Sequence, residues 1–137
     1  MDAKKTARKI LDESYVGTMA TVQQGKPFSR YMTFFTEDFT LYTATSKKTD
    51  KVDELEQNPN THILIGYDGE GFGDEYLEIM GTVTISDEES MKKKVWNEHM
   101  EPYFTGPEDP DLVILKVTPD SMRLMNKKGE DPQDIQF

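Results

Sequence analysis

Apolar residues recur along the chain with two different periods. Over Asp2 to Ser14, Ala3, Ala7, Ile10 and Leu11 share one face at helical spacing while lysines and acids fill the other, which predicts an amphipathic helix. From Val16 the character changes. Val16-Gly17-Thr18-Met19-Ala20-Thr21-Val22 is small and β-branched, Gln24-Gly25-Lys26-Pro27 reads as a turn, and Phe28 to Thr36 reads as a second strand. Glu37-Asp38 reverses the chain into a third strand over Thr40 to Thr45, so three strands with short links predict an antiparallel meander. A short helix over Lys51 to Gln57 follows, with Val52 and Leu55 on its apolar edge and Asn58-Pro59 as its stop.

The second half repeats this alternation. Thr61 to Tyr67 predicts a fourth strand, and Glu75 to Ser86 a fifth with Tyr76, Leu77, Ile79, Val83 and Ile85 inward. The parity slips near Gly81, predicting a bulge or bend there. Ser86 and Glu89 have capping-box spacing, which predicts a helix from Asp87 to about Met100 with Met91, Val95 and Trp96 on one side. After a Pro- and Gly-dense loop, Leu112 to Val117 is an apolar strand, Pro119-Asp120 a turn, and Ser121 to Met125 a final strand. The sum is mainly β: about six or seven antiparallel strands with three short helices, hence a barrel or a sheet with helical covers. With no repeat and no linker, residues 1–126 form one domain and 127–137 a loose polar tail.

Composition narrows the function. The 137 residues carry 26 acidic and 16 basic side chains, a net charge of -10, which disfavours nucleic acid and anionic membrane as partners. Cysteine is absent, which removes disulfides, thiolate metal sites and cysteine nucleophiles. No apolar run is long enough to span a bilayer, and Met1 to Lys5 is not followed by a signal-peptide core, so the expectation is a soluble cytoplasmic protein. His62 and His99 lack metal-ligand spacing, and there is no nucleophile elbow or Walker loop. Gly69-x-Gly71-x-Gly73 is crowded by Asp68, Glu70, Asp74 and Glu75 and precedes a strand, so it reads as a hairpin tip rather than a phosphate or calcium loop.

One region runs against the acidic background. Lys26, Arg30, Lys47, Lys48 and Lys51 cluster in sequence, with Arg30 inside an otherwise uncharged strand, where it needs a partner or a ligand. Ser46-Lys47-Lys48-Thr49 immediately precedes a helix N-terminus, whose free N–H groups favour an anion. Arginine, lysine, hydroxyls and helix N–H groups together would suit a phosphate monoester; a solvated lysine cluster beside an edge-strand arginine is the other reading. Tyr31-Met32-Thr33 and Tyr42-Thr43 could flank a flat polar heterocycle, or simply belong to a barrel core.

Taken in order, Val16-Gly17-Thr18-Met19-Ala20-Thr21 with its Gly-Lys-Pro turn, Arg30-Tyr31-Met32, Tyr42-Thr43-x-Thr45-Ser46, Lys51-Val52-Asp53-Glu54-Leu55 and Leu77-Glu78-Ile79-x-Gly81-Thr82-Val83 resemble the pyridoxamine 5′-phosphate oxidase-like flavoproteins, specifically their general stress protein class. Trp96-Asn97 and Pro107 to Asp111 resemble the later part of that class, and the likeness runs from about Ala7 to Asn126. The resemblance implies a Greek-key split β-barrel homodimer binding FMN at the subunit interface, with FAD or a deazaflavin as lesser alternatives and an unknown small-molecule redox partner. By position, Arg30, Lys47 and Lys51, with Ser46, would hold the phosphate, and Lys48 could substitute for Lys47. Tyr31, Met32 and Thr33 would line the isoalloxazine and ribityl chain. Tyr42, Thr43 and Thr45 would complete the pocket, and Trp96 would come from the partner subunit. Two departures stand out. Leu124-Met125-Asn126 occupies the place where the class commonly has an aromatic residue, and the chain lacks the Arg-Leu-His substrate clamp of true pyridoxamine phosphate oxidases. The implied function is an FMN-dependent oxidoreductase other than the vitamin oxidase, or a non-catalytic flavin-binding protein that stores or senses cofactor in stress. No metal and no catalytic side chain is assigned.

Overall fold

The computed structural model describes residues 2–69, 74–127 and 130–137. Helix α1 (Ala3–Glu13) opens the chain; the Asp2 side chain caps it by accepting from the Lys5 N–H at 2.8 Å. Its predicted face is buried, with Ala7 and Leu11 in the core and Ala3 and Ile10 packed against it. Strands β1 (Val16–Gln23) and β2 (Lys26–Thr33) form a hairpin whose two turn residues, Gln24 and Gly25, both take positive φ, 53° and 75°. That conformation matches the right-handed twist of the flanking strands, and glycine meets half of it without strain.

The meander fails at Phe34. Chain continuity would place the next hairpin, β3 (Phe35–Glu37) and β4 (Thr40–Ser46), beside β2. Instead the strand order is β2-β1-β5-β6-β7-β4-β3, with β5 (Asn60–Ile65), β6 (Tyr76–Ser86) and β7 (Leu112–Met125) between the two hairpins. Fully buried Phe34 makes the crossing, its N–H donating to the Tyr15 carbonyl at 2.6 Å. The sheet curls until its ends approach, and the Thr43 hydroxyl of β4 donates to the Thr33 carbonyl of β2 at 2.7 Å. The result is an antiparallel, curled, split-barrel-like sheet with short helices.

The predicted turn at Pro119-Asp120 is a bulge within β7. Met80 pairs with Ser121 and Gly81 with Pro119, leaving Asp120 as the extra residue. The parity slip therefore belongs to β7: Leu115 and Val117 before the bulge and Met122 and Leu124 after it face the main core, while β6 keeps Leu77, Ile79, Gly81 and Val83 inward throughout. Proline is tolerated because a bulge relieves it of a ladder hydrogen bond. Gly81 is required by crowding, since a β-carbon there would come within 2.7 Å of Val117 Cγ1.

Helix α2 (Asp50–Gln57) covers one end of the barrel and buries Val52 and Leu55. The helix expected from Asp87 to Met100 is shorter. It is α3 (Glu89–Val95), followed by a single 3₁₀ turn over Glu98–Met100. Ser86 ends β6 and accepts only from the Glu88 N–H, so no capping box forms. Asn97 divides the segment by accepting from the His99 N–H, a short-range bond that competes with helix continuation. This segment shields a second apolar cluster of Tyr42, Val95, Met100, Leu112 and Ile114. The loose tail is also corrected at its end. Strand β8 (Gln133–Asp134) pairs with β7, the Ile135 N–H donates to the Met122 carbonyl, and the Ile135 side chain is buried in the main core. Among the described residues no helix is long and apolar enough to cross a membrane. Gly71 and Gly73 of the glycine-rich loop lie outside the described residues.

Candidate functional site

The end of β2, the length of β4 and the start of α2 meet at a cavity of about 530 Å³. Its walls include Tyr31, Met32 and Thr33 from β2, Thr43, Thr45 and Ser46 from β4, and Thr49 and Lys51 from the start of α2. Sequence distance is large here, but the crossing at Phe34 brings the two strands together. The far wall comes from the 3₁₀ turn and the loop after it: His99, Met100, Tyr103, Phe104, Asp109 and Asp111.

The polar end is built from hydroxyls and one lysine. Lys51 Nζ donates to Thr45 Oγ1 at 2.8 Å. The Thr49 hydroxyl donates to the Ser46 carbonyl at 2.9 Å, and Ser46 Oγ accepts from the Lys48 N–H at 3.2 Å. Thr49 precedes α2 without a side-chain cap bond, so the helix start keeps N–H groups for another acceptor. Burial, and after it the neighbouring Arg30 charge, hold the Lys51 ammonium below its ordinary pKa, with Glu54 acting in the opposite direction.

Arg30 does not line the cavity. Its side chain points to the same side of the sheet as Met19, toward α2, where Nη1 donates to Thr21 Oγ1 at 2.6 Å and Nη2 to Glu54 Oε2 at 3.2 Å. The Thr21 hydroxyl in turn donates to the same Glu54 oxygen at 2.5 Å. The charge that the sequence left needing a partner thus has one. Lys47 is exposed, its N–H donating to the Asp111 carbonyl, and Lys48 forms an open ion pair with Asp111 at 3.4 Å. Tyr42 turns into the second apolar cluster, with Lys94 over its ring at 5.2 Å. Trp96 lines a separate open hollow with Pro102 to Asp109.

Sequence reasoning missed Thr21 and Glu54 and gave no site role to the wall from His99 to Asp111, while Thr49 was read only as part of the Ser46 to Thr49 segment before the helix. Lys51 and Glu54 are three residues apart on one helix, a spacing that places them on neighbouring positions and was available as a signal. Nothing local announces Tyr103 and Phe104, which depend on how the 3₁₀ turn folds back over β7.

Comparison with known proteins agrees with this architecture. The family model described as pyridoxamine 5′-phosphate oxidase matches residues 3–126. General stress protein 26 of Bacillus subtilis (strain 168) is 49% identical over 136 residues, covering 99% of this chain and 97% of the relative. The crystal structure of general stress protein 26 from Bacillus anthracis superposes with a TM-score of 0.87 at 32% identity, each chain covered in full (100% of both). A heme binding protein from Mycobacterium smegmatis shares the fold, with a TM-score of 0.82 at 15% identity over 99% of this chain and 58% of that one. The crossing strands, the curled sheet and the near-complete match to general stress protein 26 lead to one conclusion: the chain belongs to the pyridoxamine 5′-phosphate oxidase family, in its general stress protein 26 group.

Proposed function

We propose that this chain is a cytoplasmic FMN-binding flavoprotein that works as a homodimer and serves as a flavin-dependent oxidoreductase, though not as the vitamin oxidase. The observation that carries the reading is the cavity itself. It joins a half-buried lysine, three hydroxyls and a helix start at one end to strand backbone and aromatic groups at the other. An anionic head and a flat heteroaromatic body need that division of donor types. At about 530 Å³ the cavity falls within the ordinary range for bound cofactors.

Within this reading Lys51 meets the phosphate as a point charge, with Thr45, Ser46 and Thr49 placed to complete its hydrogen bonds. The β2 backbone at Tyr31 to Thr33 orients the ring system. The bound flavin supplies the hydride or electron chemistry, and the protein binds, orients and excludes water. No side chain is assigned as acid or base.

The homodimer is supported by exposed apolar side chains on the outer sheet face, set beside the His62, Glu78 and Arg123 cluster. Thr18 is cross-strand partner to both Tyr31 and Leu64, and Met80 lies nearby opposite His62. Tyr31, Leu64 and Met80 are all exposed in the single chain. Because Tyr31 belongs to this group and also to the cavity wall, a second copy seated there would close the cavity.

The purified protein is expected to be yellow with a flavin spectrum, or to become so on adding FMN. A colourless protein that ignores FMN would sink the reading. Rapid mixing of the FMN-loaded protein with NADH or NADPH then separates an oxidoreductase, which bleaches, from a storage or sensing protein, which does not. Size-exclusion with light scattering checks the dimer.

A further inference from the structure

From the far wall of the cavity we infer that His99 is the proton donor of the site, and that the acceptor it serves is a flat, uncharged dicarbonyl of the quinone type. The inference rests on the FMN oxidoreductase reading above and goes beyond it by naming an acid and an acceptor. His99 lines the cavity. Its backbone is fixed: the N–H donates to Asn97 Oδ1 at 2.9 Å, and the next residue, Met100, is buried in the second apolar cluster. Its side chain is the reverse. His99 is exposed, and among the described residues its imidazole has no hydrogen-bond or ion-pair partner.

The other described titratable residues of the cavity are committed or are weaker acids. Lys51 donates to Thr45 at 2.8 Å. The Asp109 carboxylate accepts from the Thr105 N–H and hydroxyl and from the Asp111 N–H. The Asp111 carboxylate pairs with Lys48 at 3.4 Å. Tyr31 and Tyr103 remain, and a phenol is a far weaker acid than an imidazolium. Only an imidazole ordinarily exchanges its proton near neutral pH. The same wall selects the acceptor. Tyr103 and Phe104 supply aromatic surface for a flat molecule, while Asp109 and Asp111 disfavour an anionic one.

The proton is required by the balance of the reaction. The bound flavin, recharged by a reduced nicotinamide, supplies a hydride equivalent. A quinone that takes it is left as a hydroquinone monoanion. The imidazolium N–H bond then breaks, the proton passes to the negative oxygen, and the exposed ring regains a proton from water.

The test uses FMN-loaded protein reduced by dithionite and mixed with one of two acceptors, 1,4-naphthoquinone or ferricyanide, which takes one electron and no proton. His99→Ala is expected to slow the naphthoquinone reaction on the order of a hundredfold and to leave ferricyanide unchanged. His99→Gln should behave alike, and added imidazole should restore part of the rate in His99→Ala. The wild-type naphthoquinone rate should fall as pH rises through the imidazole titration, and both variants should lose that dependence. A readout independent of turnover is the ring NMR signal of His99 in the His62→Gln protein, where it is the one histidine left; binding of FMN should move it. Equal losses with both acceptors, a pH profile that survives the substitution, or a His99 signal that ignores bound FMN would overturn the inference alone. A protein that binds no FMN, or whose reduced form passes electrons to neither acceptor, would overturn the oxidoreductase reading itself, and the inference with it.

Discussion

Two arginine–glutamate pairs sit on opposite faces of the same sheet. On the inner side Arg30 meets Glu54, with Thr21 bridging and Lys51 nearby. On the outer side Arg123 donates to Glu78 from Nη2 at 2.8 Å and Nε at 3.3 Å, with His62 at 3.9 Å from the same oxygen. By distance the outer pair is the better bonded. By its surroundings in the single chain it is the weaker, because Arg123 is 43% exposed and water competes for it. The inner pair has given up most of its water, so each partner now depends on the other. Bond length alone does not rank ion pairs; what ranks them is what replaces the bond when it breaks.

The largest effect that would break this comparison is in stability. Glu54→Ala is expected to cost about 3 kcal/mol, the lower end for stranding a buried charge, because Arg30 keeps some contact with water. Glu78→Ala should cost less than about 1 kcal/mol. Urea unfolding of both variants decides it, and equal losses would erase the distinction.

A double replacement sharpens the same point. Arg30→Met with Glu54→Leu removes both charges together and should recover most of the roughly 3 kcal/mol, since apolar packing often matches a buried pair. A double variant as unstable as Glu54→Ala would show that shape, not charge, is what the site requires.

Salt should separate the pairs next. In double-mutant cycles, the Arg123–Glu78 coupling is expected to fall toward zero in about 1 M NaCl, where screening acts over roughly 3 Å, while the Arg30–Glu54 coupling persists. Coupling energies that fall in parallel would place both pairs in the same environment.

The smallest effect concerns pH. Lys51 is depressed by burial and then by Arg30, so below its lowered pKa it is charged in folded and unfolded chains alike and its burial costs stability. As pH rises from that value toward 10.5, the folded chain loses the proton first and the penalty fades. Wild type should therefore gain stability relative to Lys51→Met across that alkaline window, and FMN affinity should fall over the same range. A flat difference in unfolding free energy would remove the desolvated lysine from the account.

The sequence made some of this legible and not the rest, for physical reasons. The α1 face and the end of α2 at Asn58-Pro59 are decided by neighbours a few residues away, and they appear as read; of the turn read over Gln24 to Pro27, only Gln24 and Gly25 form it, and Lys26 and Pro27 already pair with β1. The jump at Phe34 is decided by which sheet edge is free when the barrel curls, and no local pattern encodes that. Pro119-Asp120 has turn chemistry yet lies in a continuous strand, because β6 pairs on both sides of it. In the site, the polar wall from Thr43 to Lys51 was legible as an island of charge and hydroxyls. Glu54 was hidden among 26 acids: its spacing from Lys51 was the one local signal, and its burial emerges only with the fold.

Phe34 also has a mechanical consequence. It joins strands that lie at opposite ends of the sheet order, so the polypeptide itself acts as a covalent seam across the open side of the cylinder. Hydrogen bonds there can fray and re-form, but the two rims cannot drift farther apart than a few residues of backbone allow. With its side chain sealed inside, this stitch is out of a protease's reach until the molecule comes apart as a whole, and cutting it is then a late event in degradation rather than the first.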